Sequence, residues 1–396
     1  MSFPIEFLLF GATVLGVALF HRHALLVALA GLGAITAWKA FAGDFYGEPG
    51  WQGLLWHLEA EWVTLANLFV LFVGFTLLAR FLEASRLPLL LSRYLPDDWK
   101  GGFALLAMVF VLSAFIDNVA AALIGATIAG ALFRGKLQVG FLAALVAAAN
   151  AGGSGSVLGD TSTALMWLDG VAPGEVLRAY VAAITAFFVF AIPAARQQQR
   201  FSPLEKPADD EVALDGPRLI IVATILTCAI SANLYAISLP DGRGDAFPYT
   251  GAAVIGVILF LTPWRRPDWT VLPGAIKGAV FLLALVLAAS MMPVYELPPG
   301  SAQTTFGLGV LSAVFDHLPL TRLALDQGGY DWAALAYAVG FGGSMLWFGS
   351  SAGVAVSNRF PAARSAGQWL RQGWYVPVGY VVGFAVFLLL CGWNPR

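Results

Sequence analysis

Charge is scarce in this sequence. Asp, Glu, Lys and Arg make up 12% of its 396 residues, roughly half the share typical of soluble globular chains, while 59% are hydrophobic and mean hydropathy is +0.77. Only lipid can solvate so much apolar surface, so the composition excludes a soluble domain. With 22 basic and 24 acidic residues the formal net charge is −2, which leaves no basic field for nucleic acid. The two cysteines, Cys228 and Cys391, lie in separate apolar runs and suggest neither a CxxC metal pair nor a disulfide framework. No HExxH string or His/Cys cluster occurs, so a membrane-embedded enzyme is not the expected class and no cofactor is expected.

What is present is a series of long apolar runs. Residues 4–20 are preceded by no Lys or Arg and followed by no small-residue cleavage site, which favours a retained first span over a signal peptide. Further runs at 24–43, 62–83, 175–196, 217–238, 249–263, 271–292 and 372–391 suit crossing helices, which need about 20 residues. Two regions differ. Residues 103–133 and 303–325 are apolar but interrupted by Asp117-Asn118 and Asp316-His317. Each is followed by a second interrupted run: 138–168, broken by AANAGGSGSVLGDTST, and 331–358, broken by GFGGSMLWFGSSAG.

These features form an internal repeat. Sliding the chain along itself lays Gly152-Gly153-Ser154 on Gly342-Gly343-Ser344, and Asp160-Thr161 on Ser350-Ser351. A similar shift lays Ser113–Asn118 on Ser312–His317. Paired, glycine-interrupted hydrophobic segments are the best sequence pointer to the binding site of a secondary transporter. If 103–133 and 303–325 are re-entrant hairpins and each broken run crosses once, all 22 Lys and Arg except Lys39, Arg178, Arg243, Arg322 and Arg396 fall on the cytoplasmic side. Both termini are then periplasmic. The expected fold is an all-α polytopic membrane protein with inverted-topology repeats, each holding a re-entrant hairpin and a broken transmembrane helix. Its parts are N-terminal spans and a loop (1–61), a first repeat (62–196), a cytoplasmic linker (197–216), connecting spans (217–270) and a second, inverted repeat (271–391).

Asp117, Asp160 and Asp316 carry the chemistry. A carboxylate near the bilayer midplane costs about 2.5–3.5 kcal/mol even on the lenient insertion scale, so each needs a cation, a proton or a basic partner. A carboxyl group is neutral when protonated and binds a hard cation when ionised, which lets Na⁺ and H⁺ alternate at one site. Oxygen donors lie around these aspartates in the sequence: Asn118, Asn150, Ser154, Ser156, Thr161, Ser344, Ser350 and Ser351. His317 is a candidate proton or pH-sensing group beside Asp316. A structural salt bridge is the competing reading of the aspartates, with Arg322 as the basic candidate in a hairpin and Asp326 close by. His21, His23 and His57 fall in loops or at span ends and carry no inference.

The strings SAFIDN, AANAGGSGSVLGDTSTALMW, LSAVFDHLP and GFGGSMLWFGSSAGVA resemble the ion transporter superfamily, and most closely NhaD-type sodium/proton antiporters with a citrate transporter-like membrane domain. The likeness covers roughly residues 60–196 and 271–391. It implies an inverted-repeat carrier of a bacterial inner membrane exchanging Na⁺ or Li⁺ for H⁺, and by position it points to Asp117, Asn150, Asp160, Thr161, Asp316, Ser344, Ser350 and Ser351. Members usually carry Asp-Asn where this chain has Asp316-His317. The implied partners are the lipid bilayer and small inorganic cations, and a homodimer is admitted because a moving repeat needs a static surface. A Na⁺-coupled citrate or dicarboxylate transporter and an arsenite efflux permease are the alternatives within the superfamily.

Overall fold

The computed structural model describes residues 4–20, 23–41, 44–45, 48–87, 90, 95–204, 214–239, 246–293, 297–315 and 317–396. Asp316 and residues 205–213 of the expected linker lie outside them. Apart from a two-residue antiparallel pair, Asp44–Phe45 with Glu48–Pro49, the described elements are helical. Five helices among the described residues are long and apolar enough to cross a membrane. Ala366–Gln372 and Tyr375–Cys391, bent by 62° at their junction, make a sixth span when taken together. The chain is therefore an all-α, multi-pass membrane protein.

The order is α1 (Ile5–Leu19), α2 (Ala24–Phe41), α3 (Gly50–Ala84), α4 (Trp99–Ser113), α5 (Asn118–Leu132), α6 (Val139–Gly153), α7 (Thr161–Leu168), α8 (Tyr180–Phe201), α9 (Gly216–Ser238), α10 (Tyr249–Leu261), α11 (Leu272–Ser290), α12 (Ala302–Ser312), α13 (His317–Gln327), α14 (Trp332–Gly342), α15 (Ser351–Arg359), α16 (Ala366–Gln372) and α17 (Tyr375–Cys391). Caps fix several starts. Asp98 accepts from Lys100 N at the head of α4, and a Ser301–Thr304 capping box opens α12.

The span expected at 62–83 is the second part of a longer helix. α3 begins at Gly50 and runs 35 residues, about 52 Å at 1.5 Å per residue, longer than the roughly 30 Å hydrocarbon core. Its first turns carry exposed Trp51, Trp56 and Trp62, side chains that favour the membrane interface. Polar residues made 50–61 look like a loop, yet His57 is buried inside α3 with Nε2 2.9 Å from Ser290 Oγ. A partner 233 residues away satisfies what the local sequence could not.

Helices α6 and α14 form the centre, and every residue of α6 is buried. Both pack against the hairpin helices by near contact of backbones. A Cβ added at Gly152 of α6 would lie 2.0 Å from Phe110 O of α4, and one added at Gly342 of α14 would lie 2.0 Å from Gly309 O of α12. The repeated sequence thus places the same glycine against the same kind of carbonyl twice. Replacing Gly152 or Gly342 by alanine is expected to force these helices apart and destabilise the protein by about 1–3 kcal/mol. Gly256→Ala, at a helical position with open space around it, should not lower the thermal midpoint.

Candidate functional site

Both central helices stop short of a full crossing. α6 ends at Gly153 and the chain resumes as α7 after Asp160, while α14 ends at Gly342 and resumes as α15 after Ser350. The hairpins α4–α5 and α12–α13 turn at residues 114–117 and 313–315. Non-helical backbone of this kind survives at membrane depth only inside protein or beside a wet cavity.

Asp160 is the hub. It is 2% exposed and stands at the start of α7. Its Oδ1 lies 2.9 Å from His317 Nε2 and accepts from Asn118 Nδ2 at 3.3 Å, while Oδ2 accepts from Ser162 Oγ at 2.7 Å. An ionised carboxylate can only accept, so the imidazole presents Nε2–H to it. Thr161 Oγ1 is 3.5 Å from the same imidazole nitrogen. One carboxylate therefore ties together the starts of α5, α7 and α13, drawn from both halves of the chain. Gly340 of α14 closes one side: a Cβ there would sit 3.1 Å from Asp160 Oδ2.

Asp117 begins α5, and its Oδ1 accepts from Val119 N at 2.9 Å and Ala120 N at 3.4 Å. Asp117, Asp160 and Thr161 line one cavity of about 20 Å³, closed on the α3 side by Leu68, Leu71, Phe72 and Thr76. That volume accommodates about one water-sized occupant. Both carboxylates stand at helix N-termini, whose positive dipole end favours negative charge.

Asn150 joins the two breaks. Its Nδ2 donates to Ser344 Oγ at 2.9 Å and Ser350 Oγ at 3.1 Å, while its Oδ1 is buried without a hydrogen-bond partner among the described residues. Other expected donors are occupied elsewhere. Ser154 Oγ donates to Ala151 O of its own helix, and Ser156 Oγ donates to Ala114 O, holding the α6–α7 break against the α4–α5 turn. Ser351 is half-buried at the head of α15. Among the described residues no group of three or more His, Cys, Asp or Glu is placed to hold a metal ion. Ser162 and Thr163 were not expected at the site, although both stand in the DTST string. Thr163 Oγ1 donates to Ser156 O at 2.6 Å and Asp160 O at 2.9 Å, stitching the break closed.

The buried Arg322 pairs away from Asp117 and Asp160. Its guanidinium reaches Glu61 at 2.5 Å, Asp326 at 2.8 Å and Asp169 at 3.5 Å, joining α3, the end of α7 and α13. Glu61 and Asp169 carry no sequence signal linking them to Arg322. Arg322, Glu61 and Asp169 border a vestibule, a cavity of about 420 Å³ with Thr64, Asn67 and Tyr249 in its wall. Leu165 of α7 falls between Asp160 and Asp169, and Leu318 of α13 between His317 and Arg322; both belong to a buried apolar layer with Leu68, Leu282 and Val286. Along α13 the order is His317, Leu318, Arg322, so site and vestibule stand about 7.5 Å apart on that helix.

A multi-pass helical chain whose buried polar residues gather at paired helix breaks has the architecture of a secondary transporter. Residues 7–342 match the family described as citrate transporter (CitMHS), and the chain belongs to that family. It is 24% identical over 330 residues to "Sodium/proton antiporter 1" of Arabidopsis thaliana, covering 73% of this chain but 55% of that protein. It is also 26% identical over 347 residues to "Na(+)/H(+) antiporter NhaD" of Vibrio parahaemolyticus, covering 74% of this chain and 80% of the relative. The NhaD antiporter of Alkalimonas amylolytica is 25% identical over 342 residues, with 74% and 69% covered.

Proposed function

We propose that this protein exchanges Na⁺ or Li⁺ for H⁺ across a bacterial inner membrane, with Asp160 as the group both ions share. The cavity lined by Asp117, Asp160 and Thr161 carries this reading. It offers hard oxygen ligands, has room for a small occupant, and is bordered by the Asp160–His317 contact. With His317 protonated, its charge compensates Asp160. With a cation on the carboxylates, a second positive charge at 2.9 Å from Asp160 is repelled and the proton leaves. Occupancy by either ion thus excludes the other, which is the requirement for exchange. The sodium/proton antiporter names of the relatives support the same ions.

An organic anion fits this site less well. Citrate is far larger than the cavity, and the first-turn N–H groups of Val119 and Ala120 that would greet an anion are already taken by Asp117. The duplicated breaks and glycine contacts support two repeats of opposite orientation, 62–196 and 271–391, joined by a cytoplasmic linker, with both termini periplasmic. Alternating access then proceeds by rocking one unit against another. In this arrangement the leucine layer and the Arg322 cluster close the Asp160 site from the vestibule.

Inverted vesicles containing the protein should show proton movement on addition of NaCl or LiCl without any organic substrate. Uptake of citrate with no cation-driven proton movement would overturn the assignment. His317→Asn introduces the residue type found at Asn118 and keeps a donor toward Asp160, but removes the imidazole. Asp160 must then take up the proton itself, so exchange should persist with a pH profile displaced from wild type. An unchanged profile would remove His317 from the proton step.

A further inference from the structure

A second polar cavity lies far from Asp160, where the last turns of α8 meet the bend between α16 and α17. It measures about 620 Å³, and its wall includes Gln138, Arg196, Arg200, Phe201, Trp374 and Tyr375. Arg196 and Arg200 are one turn apart and share a face of α8. Neither arginine has a carboxylate partner among the described residues. The Arg196 guanidinium carbon is 4.6 Å from the Trp99 ring centroid, a cation–π contact.

The cavity sits where a membrane boundary falls on both helices. α8 turns from an apolar span to ARQQQR at this end, and α16–α17 bends by 62° at Gly373-Trp374 into an apolar span. Exposed Trp374 and Phe201 flank the arginines as interfacial aromatics do. Below the cavity, Ile184 and Phe188 of α8 and Val378 and Val381 of α17 are exposed, giving an apolar track that leads away from the positive charge.

We propose that this cavity binds the phosphate headgroup of an anionic membrane lipid, with Arg196 and Arg200 on the phosphate and an acyl chain along the track. Basic pockets between transmembrane helices are suited to such headgroups. The apolar track favours a lipid over a free anion, because a soluble phosphate makes no use of it.

Thermal unfolding in detergent, with phosphatidylglycerol titrated against phosphatidylcholine, tests this assignment alongside native mass spectrometry of retained lipid. Phosphatidylglycerol should raise the midpoint of the wild type and remain bound, while phosphatidylcholine should do neither. Each arginine replaced by glutamine should weaken retention about fivefold, and the double variant should lose the stabilisation. The Arg196→Lys, Arg200→Lys pair keeps the charge and should keep part of the effect, which separates lost binding from lost folding. Equal stabilisation of wild type and double glutamine variant would overturn the proposal. So would a shift reproduced by inorganic phosphate alone, which would mark a site for a soluble anion.

Discussion

Asp160→Asn is expected to abolish cation-driven proton movement while leaving the protein inserted in the membrane. Asparagine nearly preserves the shape of the side chain and can still accept from Ser162, so the helix break need not move. What disappears is the charge that holds a cation and that His317 faces at 2.9 Å. A cation would then meet neutral oxygen donors alone, so its apparent affinity should collapse. Asp117→Asn should act in the same direction but less steeply, since Asp117 also caps α5 and a neutral cap keeps part of that bond. Wild-type exchange by either variant would remove that carboxylate from the mechanism.

Arg322→Gln is expected to have the largest effect on stability. It would leave Glu61, Asp169 and Asp326 facing one another without the guanidinium that now reaches all three. Removing one member of a buried charge pair costs about 3–5 kcal/mol, and the pieces set loose belong to different parts of the chain: α3, the end of α7 and α13. The variant should unfold at a lower temperature and expose the leucine layer, so that a cysteine at Leu165 reacts faster with a water-soluble maleimide. Adding Glu61→Gln removes one unpaired carboxylate and should restore part of the lost stability. A single variant as stable and as shielded as the wild type would show that the cluster closes nothing.

The breaks were legible because lipid makes them so. In hydrocarbon a glycine run beside an isolated Asp marks irregular backbone and a charge in need of a partner, and α6–α7 and α14–α15 break where those strings occur. Asn118, Asn150, Asp160, Thr161, His317, Ser344 and Ser350 do meet in hydrogen-bonded groups that span both halves. What stayed hidden was pairing at long range. Nothing near Glu61 announces Arg322, 261 residues on, so the start of α3 looked too polar for a span. Nor could composition separate a serine that faces a site from one that bonds to a nearby carbonyl, as Ser154 and Ser156 do.

Proton release from the purified, detergent-solubilised protein in weakly buffered solution, followed with a pH indicator while NaCl is added, tests the shared-site claim most directly. Protons should be released in a saturable manner with Na⁺ or Li⁺, less with K⁺, and not at all from Asp160→Asn. Saturable Na⁺ binding that releases no proton, or release undiminished in that variant, would contradict exchange at Asp160.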